Sequence, residues 1–264
     1  MVTTLSTAQI ETVRDLARLW PNQEFTLIGA LALSLVLDGY ERQTNDIDIT
    51  LIVPPDTVHR QLLSLPGWTP SQGVDHEWRS RTGGTVHVLP ISEEDLRAGE
   101  MTWPRSGRRM SVIGMGLAFE HRQSVVVAED VSIAVATVPC IVTLKAVSFQ
   151  DRPYVRERDL GDIAEAMERY VADEDDRRWS QETEALAHED ISPYLLGKDV
   201  RTISGARELE SMVALIDRVE SESDGGRAQA AMLRLAPPSV RFRPVDLLRR
   251  VAAFRRGLEP GEAL

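Results

Sequence analysis

Two aspartates separated by one residue are the pattern in this chain that most clearly suggests chemistry. Asp46 and Asp48 flank Ile47, and side chains of an extended strand alternate between faces, so both carboxylates point to the same side. Like charges about 4 Å apart repel by about 4 kcal/mol at an effective dielectric constant of 20, and a divalent cation relieves that repulsion. Mg²⁺ is commonly held by one or two carboxylates together with water and substrate phosphates. The pattern therefore indicates a magnesium site, with a solvated strand face as the alternative.

A glycine precedes this pair at the end of another predicted strand. Gly29 lies between a strand predicted at residues 24–28 and a helix predicted at residues 30–37. The unpaired amides at the start of a helix favour bound phosphate. The position is thus a candidate phosphate site, and the alternative is a turn glycine without a ligand.

At these residues the chain resembles the polymerase-β-like nucleotidyltransferases, in particular the branch of AbiEii/AbiGii-type toxins. Family members carry Gly-Ser or Gly-Gly and then Asp-x-Asp on the next strand, whereas this chain has Ala30 in second place and so lacks any hydroxyl contact to phosphate there. The resemblance implies that Asp46 and Asp48 bind Mg²⁺ and that a nucleoside triphosphate is bound near Gly29, Ala30, Arg42 and Thr44.

A histidine occupies the place where the family has a third carboxylate. The apolar strand predicted at residues 85–90 has His87 at its centre, where family members have an aspartate. A neutral imidazole can accept a proton near neutral pH, but Mg²⁺ prefers oxygen ligands. We therefore expect His87 to act as a general base, and the alternatives are a histidine packed on the sheet or a site with reduced activity.

One lysine stands in an otherwise apolar helix. The chain has 28 arginines and only two lysines, and Lys145 is the sole charged residue from Val131 to Gln150. Asp159 and Asp162 follow on the next predicted helix, where residues three apart share a face. The resemblance extends to this lysine and this acidic pair, and it implies that Lys145 contacts the triphosphate while the two aspartates orient the nucleotide or the acceptor. The alternatives are a lysine that snorkels to the surface and acids that complement the helix dipole.

The elements that must position these residues follow from periodicity and turn signals. We predict helices at residues 7–20, 56–65 and 139–150, a hairpin turn at Gly83-Gly84, a loop at 100–109, and strands at 111–121, 124–127 and 131–136. The segment Tyr194 to Asp199 resembles a Leu-Leu-Gly link between two helices of the family. We expect an α/β (α+β) fold: a polymerase-β-like nucleotidyltransferase domain with a mixed sheet at residues 1–137, an α-helical domain at 138–264, and an active cleft between them.

Composition limits the setting of the protein. The single cysteine, Cys140, excludes an intrachain disulfide and fits a reducing cytoplasm, and the start of the chain has no apolar core of the signal-peptide type. The segment Val131 to Gln150 is too polar for a membrane span. The net charge of −11 argues against wrapping a polyanion with the whole surface. Eight arginines and one acid between Arg227 and Arg256 could form a basic arm for RNA, or could balance acids elsewhere.

Taken with these residues, the resemblance implies a cytoplasmic, Mg²⁺-dependent nucleotidyltransferase that does not bind a membrane. It would transfer a nucleoside monophosphate from a nucleoside triphosphate to a hydroxyl of RNA, tRNA, protein or a small molecule, and the resemblance implies a toxin with a cognate antitoxin. The alternatives are a degenerate member that binds nucleotide, RNA or a partner without turnover, and an enzyme that modifies an antibiotic-like small molecule.

Overall fold

The computed structural model describes residues 5–21, 24–221, 226–240 and 242–260. The chain divides into two compact units, the first made of Met1–Val36 and Gln43–Thr137 and the second of Leu37–Arg42 and Val138–Leu264. The short segment Leu37–Arg42 therefore packs with the second unit although it lies within the first along the chain. Arg241 of the arginine-rich run and the first four residues lie outside the described part.

The first unit combines helices with a sheet. Its helices are α1 (Thr7–Leu19), α2 (Gly29–Val36), α3 (Pro55–Leu63), α4 (Glu93–Ala98) and α5 (Leu117–Glu120). Its strands are β1 (Phe25–Ile28), β2 (Ile47–Ile52), β3 (Thr69–Pro70), β4 (Glu77–Arg79), β5 (Thr85–Ile91), β6 (Glu100–Thr102), β7 (Arg109–Ser111), β8 (Arg122–Ala128) and β9 (Val131–Ala136).

Seven of these strands form one mixed sheet within the described residues, in the order β3-β4-β5-β2-β1-β9-β8. The pairs β2–β5 and β1–β9 are parallel, and the other neighbours are antiparallel. The strands β6 and β7 form a separate hairpin. The predicted α/β fold with a mixed sheet is confirmed.

Alternation along β2 places its apolar side chains in the core. Ile47, Ile49 and Leu51 are at most 1% exposed, whereas Asp48 is partly exposed. Strand β5 alternates in the same way, with Val86 and Val88 buried and His87 partly exposed. Asp48 and His87 are thus turned away from the apolar core.

Between residues 100 and 121, two local predictions were wrong. Residues 100–109 were predicted as a loop but contain β6 and the start of the hairpin with β7, and residues 111–121 were predicted as strands but contain α5. Leu117 and Ala118 of α5 are buried. A short apolar run after two glycines has no distinguishing period, because a buried strand and one buried helical turn look alike in sequence.

The second unit is helical. It contains α6 (Val138–Asp151), α7 (Glu157–Arg169), α8 (His188–Ile203), α9 (Ala206–Glu220), α10 (Arg227–Leu235) and α11 (Pro244–Leu258), with 3₁₀ turns at Asp176–Trp179 and Pro238–Val240. The Leu-Leu-Gly segment predicted as a link lies inside α8 instead. A Cβ at Gly197 would stand 2.2 Å from the carbonyl oxygen of Phe254 in α11, so this glycine allows close packing of two helices.

Helix α6 is buried along most of its length, and Lys145 within it is 6% exposed. A snorkelling surface lysine is therefore excluded. Among the residues that the structure describes, no helix has both the length and the apolar character needed to cross a bilayer.

Candidate functional site

A row of three polar side chains crosses the sheet of the first unit. Asp48 of β2 stands opposite His87 of β5 in the parallel pair, and His87 stands opposite Glu77 of β4 in the antiparallel pair. Directly opposed residues of neighbouring strands point to the same face. Their side chains are between 24% and 29% exposed, so the row lies where a ligand can reach it.

The imidazole of His87 lies between two carboxylates. Its Nδ1 is 2.7 Å from Oδ1 of Asp48, within hydrogen-bonding distance, and its Nε2 is 3.6 Å from Oε2 of Glu77. Burial alone would lower the pKa of His87, but the hydrogen bond and charge of Asp48, with the charges of Asp46 and Glu77, raise it above the usual value. The predicted general base thus has one ring nitrogen engaged by Asp48.

Glu77 is a site residue that the sequence analysis missed. The hydroxyl of Ser71 donates to its Oε1 at 2.7 Å, and the amide of Ser71 donates to the carbonyl of Glu77 at 2.9 Å. The Ser71 hydrogen bond and the charge of His87 outweigh desolvation and lower the pKa of Glu77. A glutamate at the first position of a three-residue strand gives no sequence signal unless the strand register is known.

Asp46 lies just before β2 and is exposed. Its amide donates to Oγ1 of Thr44 at 3.3 Å, and the carbonyl of Thr44 accepts from Nε2 of Gln9 in α1 at 3.1 Å. Thr44, predicted to contact nucleotide, thus shapes the turn that presents Asp46. The charge of Asp46 also acts on His87, which places this carboxylate in the same electrostatic environment as Asp48.

Gly29 and Asp48 fit against each other. Ile28 pairs with Asp48 in the β1–β2 ladder, and the next residue, Gly29, has a φ angle of +77°, in the left-handed region. A Cβ at Gly29 would stand 2.2 Å from Oδ2 of Asp48, so the carboxylate occupies the space that any other residue would fill. Ala30, the second residue of α2, is buried and offers no polar atom beyond its backbone.

These groups match what Mg²⁺ needs from a protein when substrate completes its coordination. Asp46 and Asp48 offer hard carboxylate oxygens, and two such residues suffice where phosphates and water supply the rest. Within the described residues, no group of three or more His, Cys, Asp or Glu side chains is arranged to hold a metal ion alone. The donor set therefore fits a cation shared with a phosphate ligand and does not fit a protein-only cage.

In the second unit, the structure brings together Lys145, predicted to contact the triphosphate, and Asp159 and Asp162, predicted to orient the nucleotide or the acceptor. The ammonium of Lys145 donates to Oδ1 of Asp159 at 3.0 Å and to Oδ2 of Asp162 at 2.6 Å. Burial would lower the pKa of Lys145, but the two carboxylates raise it overall. Asp162 is 1% exposed, and the charges of Lys145 and Arg42 outweigh its desolvation and lower its pKa. Lys145 is thus a buried, charged partner of two acids.

The segment Leu37–Arg42 attaches to the same carboxylate. The hydroxyl of Tyr40 donates to Oδ1 of Asp162 at 2.8 Å, and the guanidinium of Arg42 donates to Oδ2. The Arg42 side chain is 30% exposed. Arg42, predicted to contact nucleotide, is therefore held by Asp162, and Tyr40 is a member of this cluster that sequence patterns did not indicate.

The arginine-rich run is largely neutralised by acids of the second unit. Arg234 pairs with Glu157, Arg249 with Asp190, Arg250 with Glu168, and Arg255 with Asp217 and Glu220. Of the two alternatives from the sequence, the structure favours arginines that balance the charge of nearby acids over a free basic arm.

Comparison with known proteins gave distant structural similarity only. Neither protein-family profiles nor curated protein sequences gave a match. Among solved structures, an antigenic nucleotidyltransferase-like protein from Paracoccidioides brasiliensis shares 14% sequence identity with this chain, and its TM-score is 0.43. The alignment covers 89% of this chain and 95% of that protein. JHP933 from Helicobacter pylori shares 10% sequence identity at a TM-score of 0.39, with 97% of this chain and 94% of that protein aligned. A Helicobacter pylori protein described as a putative nucleotidyltransferase shares 12% identity at a TM-score of 0.38, with 96% of each chain aligned.

Proposed function

We propose that this protein is a nucleotidyltransferase that moves a nucleoside monophosphate from a nucleoside triphosphate to a hydroxyl acceptor and releases pyrophosphate. The observation that supports it most is the fit of the Asp48 carboxylate against Gly29, at a strand-to-helix turn, with Asp46 two residues earlier in the chain. This arrangement combines paired acids with a glycine turn whose amides favour phosphate.

Each residue then has a defined task. Asp46 and Asp48 would hold Mg²⁺, which when bound offsets the charge of the phosphates and of the leaving pyrophosphate. Gly29 leaves room for the Asp48 carboxylate, and the backbone amides at the start of α2 would donate to the phosphates. The acceptor O–H bond breaks as its oxygen bonds to the α-phosphorus, the proton passes to Nε2 of His87, and the bond to pyrophosphate breaks. RNA, tRNA, a protein or a small molecule could each supply the hydroxyl.

Loss of Asp46 tests this proposal. Asp46→Ala should reduce transfer of a labelled nucleotide by at least about 100-fold, because one of two acidic ligands is removed. The control is Asp56→Ala, which removes an exposed carboxylate in the first turn of α3 and should leave transfer unchanged. Activity that persists in Asp46→Ala, with all four nucleoside triphosphates and several acceptor classes tried, rules the mechanism out.

Binding without turnover is the second candidate, and two observations favour it. Oδ1 of Asp48 is hydrogen bonded to His87, and the ammonium of Lys145 is bonded to two acids, so both expected groups have partners inside the protein. Calorimetry that detects nucleotide binding, with no product in mass spectrometry, would support this candidate. A toxin role with a cognate antitoxin is tested by growth on expression, where Asp48→Ala should relieve toxicity if it depends on the site.

A further inference from the structure

The second carboxylate of the row comes from a strand next to the one where an acid was expected. Strand β5 carries His87 where an acid was expected, and its antiparallel neighbour β4 carries Glu77 directly opposite. Cβ atoms of opposed residues lie about 4.5–5.5 Å apart, so this glutamate can reach the imidazole without leaving its strand.

The orientation of Glu77 is fixed from its far side. Ser71 donates from its hydroxyl to Oε1, while its amide bonds to the carbonyl of the same glutamate. The other carboxylate oxygen, Oε2, faces Nε2 of His87 at 3.6 Å. That distance is longer than a hydrogen bond, but it is an ion-pair distance when the ring is charged.

The two ring nitrogens of His87 therefore have different contacts. Nδ1 makes a short contact with Asp48 at 2.7 Å, whereas Nε2 faces an aimed carboxylate across a wider gap. A ring with a carboxylate at each end cannot rotate about its Cβ–Cγ bond without losing both contacts, because the nitrogens would then be exchanged for carbons. The Ser71–Glu77 pair thus restricts the ring in a way that Asp48 alone does not.

We propose that Glu77 is a positioning residue that holds the imidazole of His87, with Ser71 holding Glu77 in turn. The inference rests on the proposed function, because the carboxylate of Glu77 attracts Nε2 when the ring is charged, which is the state that His87 reaches once it has taken the proton of the acceptor. Glu77 need not touch the substrate, and its effect is exerted through the orientation of His87.

The test compares Glu77→Gln, Glu77→Ala and Ser71→Ala with the full-length wild-type chain. Glutamine keeps an acceptor for Ser71 and loses the charge, alanine removes the contact, and Ser71→Ala leaves the carboxylate without its orienting donor. Glu94→Gln, at an exposed position in α4, is the control for loss of one negative charge. Unfolding by urea verifies that each variant is folded, and if Glu77→Ala does not fold, the other two variants carry the test.

The first measurement needs no substrate. Nitrogen-detected correlation spectra of the histidine side chains should show one ordered set of ring signals for His87 in the wild type and in Glu94→Gln. We expect broadened or doubled His87 signals in Glu77→Ala and Ser71→Ala, and a smaller change in Glu77→Gln. Unchanged signals in all three variants overturn the inference, whether or not the protein is an enzyme.

The second measurement separates the two proposals. If the wild type transfers nucleotide, Glu77→Ala should lower kcat by about 10- to 100-fold with little change in KM for the nucleoside triphosphate, since the ring and not the phosphate contact is disturbed. Glu77→Asp should recover part of that loss. A wild type without transfer activity but with the expected spectral changes would refute the proposed function and leave the positioning role intact. Equal losses in kcat for Glu77→Ala and Glu94→Gln would overturn the positioning role.

Discussion

Replacement of Gly29 by alanine should destabilise the first unit for two separable reasons. A residue with a side chain in the left-handed region costs about 1–2 kcal/mol. In addition, the new Cβ would stand 2.2 Å from Oδ2 of Asp48, so the carboxylate must move away from His87, and loss of a hydrogen bond to a charged group costs about 1.5–3 kcal/mol. We therefore expect Gly29→Ala to lower the free energy of unfolding by about 2.5–5 kcal/mol, the sum of the two costs.

Two further variants separate these contributions. Gly73 has a φ angle of +74° and no atom within 4 Å of the position where a Cβ would lie, so Gly73→Ala should show the backbone cost alone, about 1–2 kcal/mol. In an Asp48→Ala background, Gly29→Ala should cost little more than the same backbone term. The remaining difference is a tight contact, because the new Cβ would lie 3.0 Å from the Cβ of residue 48. The double-mutant cycle then gives the coupling between glycine and carboxylate directly.

Tryptophan fluorescence in urea is a suitable assay for this prediction. Trp20, Trp68, Trp78 and Trp103 are buried in the first unit, whereas Trp179 of the second unit is 72% exposed. The change in emission therefore follows the first unit. Equal losses of stability in Gly29→Ala and Gly73→Ala, or additive costs in the cycle with Asp48→Ala, would refute the claim that the carboxylate lies against this glycine.

Two predictions concern the second unit. Lys145→Met should lower the free energy of unfolding of this unit by about 3–5 kcal/mol, because Asp159 and Asp162 are left buried without the ammonium. Lys145→Arg keeps the positive charge and should lower it less. If Lys145→Met unfolds thermally at the same temperature as the wild type, the buried ion pair is contradicted. Burial raises the pKa of Glu165 from 4.5 to about 7, so the folded state binds more protons in this window and stability falls as pH rises through it. The free energy of unfolding of Glu165→Gln should therefore equal that of the wild type at pH 4.5 and exceed it above pH 7 by at most about 3 kcal/mol. An equal difference at both pH values in urea titrations would show that the raised pKa of Glu165 is not the cause.

Local patterns predicted the elements and groups that depend on spacing alone. Ser6 caps α1 with Gln9 in a reciprocal arrangement, and the helix begins where the sequence places it. Asp159 and Asp162 both reach Lys145 because residues three apart share a helix face. The alternation of β2 likewise placed Asp48 on the polar side of its strand.

Strand register was beyond the reach of the same patterns. A two-residue turn at Gly83-Gly84 would have set Ser80 opposite His87. The hairpin instead closes with hydrogen bonds between Ser80 and Gly84, so the loop is longer and Glu77 faces the histidine. The residue opposite His87 is thus displaced by three positions, from Ser80 to Glu77. A change of register changes every cross-strand neighbour, which is why the glutamate carried no signal.

The burial of Lys145 also changes what the resemblance implied for it. To contact a triphosphate, its ammonium would have to leave two carboxylates in an apolar helix layer, and breaking such a buried pair costs about 3–5 kcal/mol. Its bonds instead keep Asp162 ionised and in place, and Asp162 in turn holds Tyr40 and Arg42. The side chain of Arg42 is 30% exposed whereas that of Lys145 is 7% exposed, and a guanidinium keeps free N–H donors after forming one ion pair. Within this cluster, Arg42 is therefore the cation better placed to bind an anion. Lys145 acts indirectly, because it holds in place the Asp162 carboxylate to which Arg42 is bound.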